Sequence, residues 1–283
     1  MASPTFKKFN KDEDILKGTV LIRRVHTYFN SGKFPKHVEA DLIDRHKERE
    51  PDGWFHPSTH PGWNERQLYV YLTNPGILVP RGWNYEGRMS ANLGTMAHEL
   101  IKEALIDDGS LIRPEGETCG SCGLPRKGRV KCNEHGFSDL VTMSRGHIDG
   151  MLAPEIRRPE DEGYGGMDLK TSNEMSVRSL PNNDVEYFRR KWPYYYDQMQ
   201  EYMRISGLRF FIVLFLSLGY PWQMKEVRVD YDPVRAFEIE QKYLRVREAA
   251  EESRVPSECC KFLPGTKGMD ECPAVTACRR GFA

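Results

Sequence analysis

The chain has 283 residues, enough for one large domain, or one with substantial decorations, around a real core. Hydrophobic residues make up 39% and charged residues 29%, the balance of a soluble globular protein, and no apolar run approaches the length of a membrane helix. Lys plus Arg equals Asp plus Glu at 41 each, which excludes a uniformly basic nucleic-acid binder, so any basic surface must be local.

In chain order, residues 12–29 and 36–50 read as helices, the second strongly charged. Residues 51–63, rich in Pro, Gly and Trp, read as a loop, and residues 65–72 as a short helix. The clearest helix is 92–108, where Leu93, Met96, Ala97, Leu100, Ile101, Ala104 and Leu105 recur at spacings of three and four and Gly109 provides the stop. A Cys- and Gly-rich insert covers 115–136. Residues 144–152 and 165–171 then read as two strands of an antiparallel hairpin, joined by a charged loop at 154–163. Residues 194–206 are helical up to Gly207. The nearly continuous apolar stretch 208–218 suits a strand buried on both faces. Residues 225–230 alternate as another strand, and Asp232-Pro233 opens a long polar helix to about 253. The pattern predicts an α/β (α+β) protein, with an N-terminal helical region (1–63), a core (64–258) and a Cys-rich tail (259–283).

Four short segments carry residues suited to metal-assisted chemistry. They are Gly94-Thr-Met-Ala-His98 on a helix, Gly146-His-Ile-Asp149-Gly150 on a strand, Asp168-Leu-Lys170 on the next strand, and Gln198-x-x-x-Tyr202 on the following helix. Strand alternation sends Asp168 and Lys170 to one face and Leu169 to the other, with the Leu169 carbonyl still available as a ligand. Asp149 on the paired strand can face the same place. Gly94, one turn before His98, is expected to leave room for a nucleic-acid strand. Gln198 and Tyr202 share a helix face. Hard ions such as Mg²⁺ and Mn²⁺ take such oxygen donors, and a lysine beside them can stabilise charge developing on a phosphate.

The order and spacing of these four segments resemble the RecB-like nucleases of the PD-(D/E)XK superfamily, which include bacterial recombination nuclease domains and CRISPR-associated exonuclease relatives, many phage-encoded. The resemblance runs from about residue 54 to the C-terminus. It implies a restriction-endonuclease-like core, a central mixed sheet flanked by helices, and a metal-dependent DNA nuclease acting in recombination, repair or phage DNA processing. DNA, single-stranded or with ends, would be the partner. His98, Asp149, Asp168 and the Leu169 carbonyl would hold Mg²⁺ or Mn²⁺. Lys170 would orient the attacking water, and Gln198 and Tyr202 would position the DNA and support Lys170. A non-catalytic DNA-binding or scaffold subunit, and a nuclease acting on RNA, remain as alternatives. The start of the sequence, MASPTFKKFNKDED, lacks the apolar stretch of a secretory signal, so a cytoplasmic protein of a bacterium or a phage-infected cell is expected, with no membrane partner.

The seven cysteines fall in two groups, which in a reducing compartment favours metal or cluster binding over disulfides. Cys119-x-x-Cys122 and Cys132-x-x-His135, nine residues apart, form a zinc-knuckle-like Cys₃His arrangement, with basic residues between the pairs that could touch phosphates. Cys259, Cys260, Cys272 and Cys278 resemble the C-terminal staple by which this nuclease branch holds a [4Fe–4S] cluster. The branch supplies its fourth thiolate near the N-terminus, and the corresponding segment here, residues 58–69, contains no cysteine. The fourth ligand would then be the extra member of the Cys259-Cys260 pair or His60. Zinc at these positions, or no metal at all, are the other readings.

Overall fold

The structure, a computed structural model, describes residues 18–33, 35, 51–78, 85–119, 121–125, 132, 134–161, 163–219, 223–257, 272 and 274–276. The helix expected over 36–50 lies outside these residues, as do Cys259, Cys260 and Cys278.

The described strands form a five-stranded and a two-stranded sheet. The larger runs β1 (Leu111–Ile112), β4 (Gly150–Leu152), β5 (Gly165–Ser172), β6 (Phe210–Ser217) and β7 (Met224–Asp230) in spatial order. Its pairings are antiparallel except β5–β6, which is parallel. A parallel pair needs a crossover. Here it is supplied by α4 (Glu174–Arg178), α5 (Val185–Lys191) and α6 (Pro193–Ser206), the last ending at Gly207 with φ +74°. Every residue of β6 is buried. Its alternation explains why: Phe211, Val213 and Phe215 pack with Phe188, Trp192 and Met199 of the crossover, while Phe210, Ile212 and Leu214 pack with Ile101 and Leu105 on the opposite face. The result is the expected α/β architecture, a central mixed sheet between layers of helix.

The second layer comprises α1 (Leu21–Asn30) and α3 (Tyr85–Asp107). Glu226 of β7 fixes the start of α1 by accepting the backbone N–H groups of Val20, Leu21 and Ile22 at 2.8, 2.9 and 3.2 Å. These are among the donors that every helix N-terminus leaves unsatisfied. α3 begins earlier than its periodicity predicts. Leu93 and Met96, expected in the core, are exposed, whereas Ala97, Ile101, Ala104 and Leu105 are buried. Thr171, near the C-terminal end of β5, packs on Gly94, and Leu93 and Met96 on either side of this contact face away from the described core. α2 (Glu65–Thr73), opened by an Asn64–Gln67 capping box, packs with α7 (Pro233–Glu251) around Phe55, Tyr69 and Tyr243.

The strand expected over 144–152 is in fact two. β3 (Ser144–Ile148) pairs with β2 (His135–Asp139), an unexpected strand, to make the small sheet, and β4 joins the large one. Asp149 is the residue between them. Glycines on both strands let neighbours pack closely: a Cβ at Gly146 would come within 2.9 Å of Pro57 and Tyr202, and one at Gly150 within 2.8 Å of Leu111. Arg204 of α6 secures the β2–β3 turn, donating to Asp139 and to Thr142 at 2.8 Å each while pairing with buried Glu201. No helix among the described residues is long and apolar enough to cross a membrane.

Candidate active site and a neighbouring thiol–histidine cluster

The four sequence segments converge where the two sheets part. Pairing between β4 and β5 stops at Gly150–Met167, and beyond it Asp149 takes the place of a strand partner: its Oδ2 accepts the Leu169 N–H at 2.7 Å. His98 of α3 reaches the same oxygen, with Nδ1 at 3.5 Å. Burial lowers the His98 pKa, with Lys170 and Lys102 adding to the shift and Asp149 opposing it, so the imidazole is neutral near neutral pH.

Asp168 and Lys170 share a face of β5, as alternation requires. Asp168 is buried, and burial raises its carboxyl to about 6, Lys170 pulling it back and the charges of Asp149 and Glu134 pushing it further up. Its Oδ2 stands 2.8 Å from Lys170 Nζ, a charge-assisted contact that is its main partner. Burying a carboxylate is costly unless a cation stands beside it, and the Lys170 ammonium does so here. The Lys170 ammonium lies 4.7 Å from the centre of the Tyr195 ring, which offers its π face. On α6, Gln198 donates to the Tyr202 hydroxyl at 3.4 Å, both side chains are buried, and Tyr202 stacks on Phe211. Burial, followed by the charge of Asp168, holds Tyr202 well above the usual phenol range. The sequence-predicted residues His98, Asp149, Asp168, Leu169, Lys170, Gln198 and Tyr202 are thus gathered in one region. Gly94 has another role than expected: the space a Cβ would fill is occupied by Thr171 Oγ1 at 2.8 Å, so the glycine brings α3 close to β5.

Four residues near the site were not singled out from the sequence. Tyr195 holds a ring over Lys170. Glu134 precedes β2 at the position that continued hairpin pairing would set opposite Asp149. Glu99 and Lys102 form a buried pair at 2.9 Å on α3, in the turn that follows His98.

The insert gathers a second donor set. The ligand atoms of Cys119, Cys122, Cys132 and His147 all lie within 4.8 Å of one another, with Cys119 Sγ 3.3 Å from His147 Nε2, a combination compatible with zinc. His147 stands where His135 was expected. The hairpin register is the reason: His147 pairs with Gly136 and so shares its face, the face against Cys119. His135 is one residue out of phase and points elsewhere, its Nε2 lying 3.0 Å from the Ile112 carbonyl. Burial, then the charges of Cys119 and Cys122, push the Cys132 thiol up.

In the tail, Cys272 is buried beside Val70, with Gln67 Nε2 3.3 Å from its sulfur. His60 is buried among Phe55, Trp63 and Tyr71, and its Nδ1 accepts the His56 N–H at 2.7 Å, which engages one of the two nitrogens it could offer a cluster.

No protein-family model matches this chain, and no curated protein matches it in sequence. Among solved structures it is similar to an alkaline exonuclease, LHK-Exo, from Laribacter hongkongensis, at 14% identity over 71% of this chain and 90% of that one, with a TM-score of 0.42. It is similar to the same exonuclease in complex with dAMP at 15% identity over 72% of this chain and 91% of that one, again with a TM-score of 0.42.

Proposed function

We propose that this chain is a metal-dependent DNA nuclease of the PD-(D/E)XK type, in its RecB-like branch, hydrolysing phosphodiester bonds from DNA ends. The observation that carries this reading is the arrangement around β5. Asp149, at the junction of β3 and β4, binds the Leu169 N–H and so lies beside Asp168 of β5, whose buried carboxylate has the Lys170 ammonium 2.8 Å away. This is a place for a hard cation next to a fixed positive charge. Asp149, Asp168, the Leu169 carbonyl and neutral His98 would hold Mg²⁺ or Mn²⁺. When bound, the ion supplies polarisation of the phosphate and acidification of a water. Lys170, held by Asp168 and the Tyr195 ring, orients that water and stabilises the charge that grows on the phosphoryl oxygens. Gln198 and Tyr202 pack behind these groups and keep water out of the core side of the site.

Cleavage of end-labelled DNA and RNA by the purified protein tests the reading, with Asp149→Ala and Lys170→Ala alongside. Cleavage of DNA that needs Mg²⁺ or Mn²⁺ and is lost in both folded variants supports it. Undiminished cleavage by the variants rejects the site. DNA binding without cleavage would favour a scaffold subunit, and cleavage of RNA alone a ribonuclease. For the tail, the reading is a [4Fe–4S] cluster to which Cys272 contributes a thiolate. Protein prepared without oxygen should then contain iron and acid-labile sulfide in equal amounts, whereas colourless protein with zinc and no iron would reject the cluster and leave the nuclease reading untouched.

A further inference from the structure

We propose that Cys119, Cys122, Cys132 and His147 form a tetrahedral zinc site that fastens the insert to β3, two residues before Asp149. The assignment does not rest on the nuclease reading. Four ligands at ordinary zinc distances stand about 3.5–3.8 Å apart. The four donor atoms here already lie within 4.8 Å of one another, and the Cys119–His147 pair is at 3.3 Å. Two cysteines come from one tight turn, built by the Cys119 N–H to the Leu124 carbonyl at 2.8 Å and the Gly123 N–H to the Cys119 carbonyl at 2.9 Å, with Gly123 at φ +70°. The third is brought alongside by its own N–H, which donates to the Pro125 carbonyl at 2.9 Å. These backbone bonds preshape a knuckle, and the fourth donor comes from outside it.

Gly136 shows that the knuckle is seated on the hairpin. A Cβ there would come within 2.6 Å of both Cys119 Sγ and Ser121 Cβ and 3.2 Å from His147 Cδ2. Only a glycine opposite His147 lets the sulfur reach the imidazole. The site therefore joins an insert poor in apolar residues to a strand that continues directly into Asp149. It also fixes Glu134, two residues after Cys132 and next in register to Asp149. Zinc then acts here as a clamp that sets the β2–β3 hairpin, and it contributes no open coordination position for chemistry.

Zinc analysis of the full-length protein, with cobalt substitution as a spectroscopic check, tests this. His147→Ala and, separately, exposed Cys122→Ser should each carry one zinc fewer than wild type. His135→Ala should keep the full complement. His147→Cys should keep it too, with the cobalt spectrum moving from three thiolates to four, which guards against misreading a variant that fails to fold. Gly136→Val should lose the same zinc without removing any ligand. Equal zinc content in wild type, Cys122→Ser and His147→Ala would overturn the proposal, as would loss of zinc in His135→Ala but not in His147→Ala.

Discussion

Two donor clusters flank Ile148, and they are built in opposite ways. The oxygen cluster at Asp149, Asp168 and Lys170 is placed by the central sheet, where β5 pairs along its length with the fully buried β6. The sulfur cluster is assembled from a knuckle turn and one further cysteine, both outside the main core, and from a hairpin strand that reaches the core only through Ile148. The first should therefore keep its shape when empty, while the second should depend on its ion for shape. A metal at the oxygen cluster would serve reaction. A metal at the sulfur cluster would serve architecture.

The sharpest way to break this contrast is Lys170→Ala. Removing a preorganised charge from a reacting phosphate should lower the cleavage rate by about 100-fold or more, with zinc content unchanged and only a modest fall in melting temperature from the loss of the Asp168 ion pair. A large fall in melting temperature with modest loss of rate would make Lys170 structural. The next largest effect is expected at Glu226→Ala, remote from both clusters. Three N–H groups at the start of α1 would lose their acceptor, at a cost of about 2–3 kcal/mol in urea unfolding, with metal content the same as wild type. A smaller change, Gly94→Ala, should cost about 1–2 kcal/mol by forcing a methyl group against Thr171. It should weaken Mn²⁺ binding at the oxygen cluster, measured by calorimetry, and spare the zinc. Adding Thr171→Ala should restore much of both losses, and failure of that rescue would mean that α3 is held elsewhere.

Acid gives the smallest predicted effect and separates proton uptake by the core from proton uptake at the thiolates. His60 is buried, and burial lowers its pKa to about 3, with His56 and Lys242 adding to the shift and Asp52 opposing it. Between that value and about 6.5 the unfolded chain binds a proton that the folded chain refuses, so stability falls as pH falls through this window. The drop from pH 7 to 5.5 should be about 1 kcal/mol. It should persist in Cys122→Ser and vanish in a folded His60→Gln protein. Persistence in His60→Gln would assign it to another group.

Much of this was legible in sequence because the oxygen cluster obeys local rules. Asp168 and Lys170 share a face through two-residue alternation, the apolar stretch of β6 declares a strand buried on both sides, and Gly207 marks the end of α6. What was not legible depends on which segments meet. β2, with the sequence His-Gly-Phe-Ser-Asp, carries a weak strand signal, so its pairing with β3 was missed, and with it the break at Asp149. The choice between His135 and His147 then had no basis, because only the hairpin register says which histidine faces the cysteines. A turn read at 139–144, between two short strands, would have given that register. The apolar stripe on α3 misled at Leu93 and Met96 for a related reason: periodicity reports which residues share a face but not how far along the helix the core extends.

The parallel pairing of β5 and β6 also bears on the order in which the molecule acquires its shape. Residues 173–209 must be looped out before Asp168 can sit beside Val213 or Lys170 beside Phe215. Closing such a loop costs chain entropy before any pairing repays it, so this event is slow compared with local ones. The β2–β3 hairpin closes over residues 140–143 alone. On a refolding time course, amide protection in β2 and β3 should therefore precede protection in β5 and β6, and the oxygen cluster should be the last part of the site to become competent.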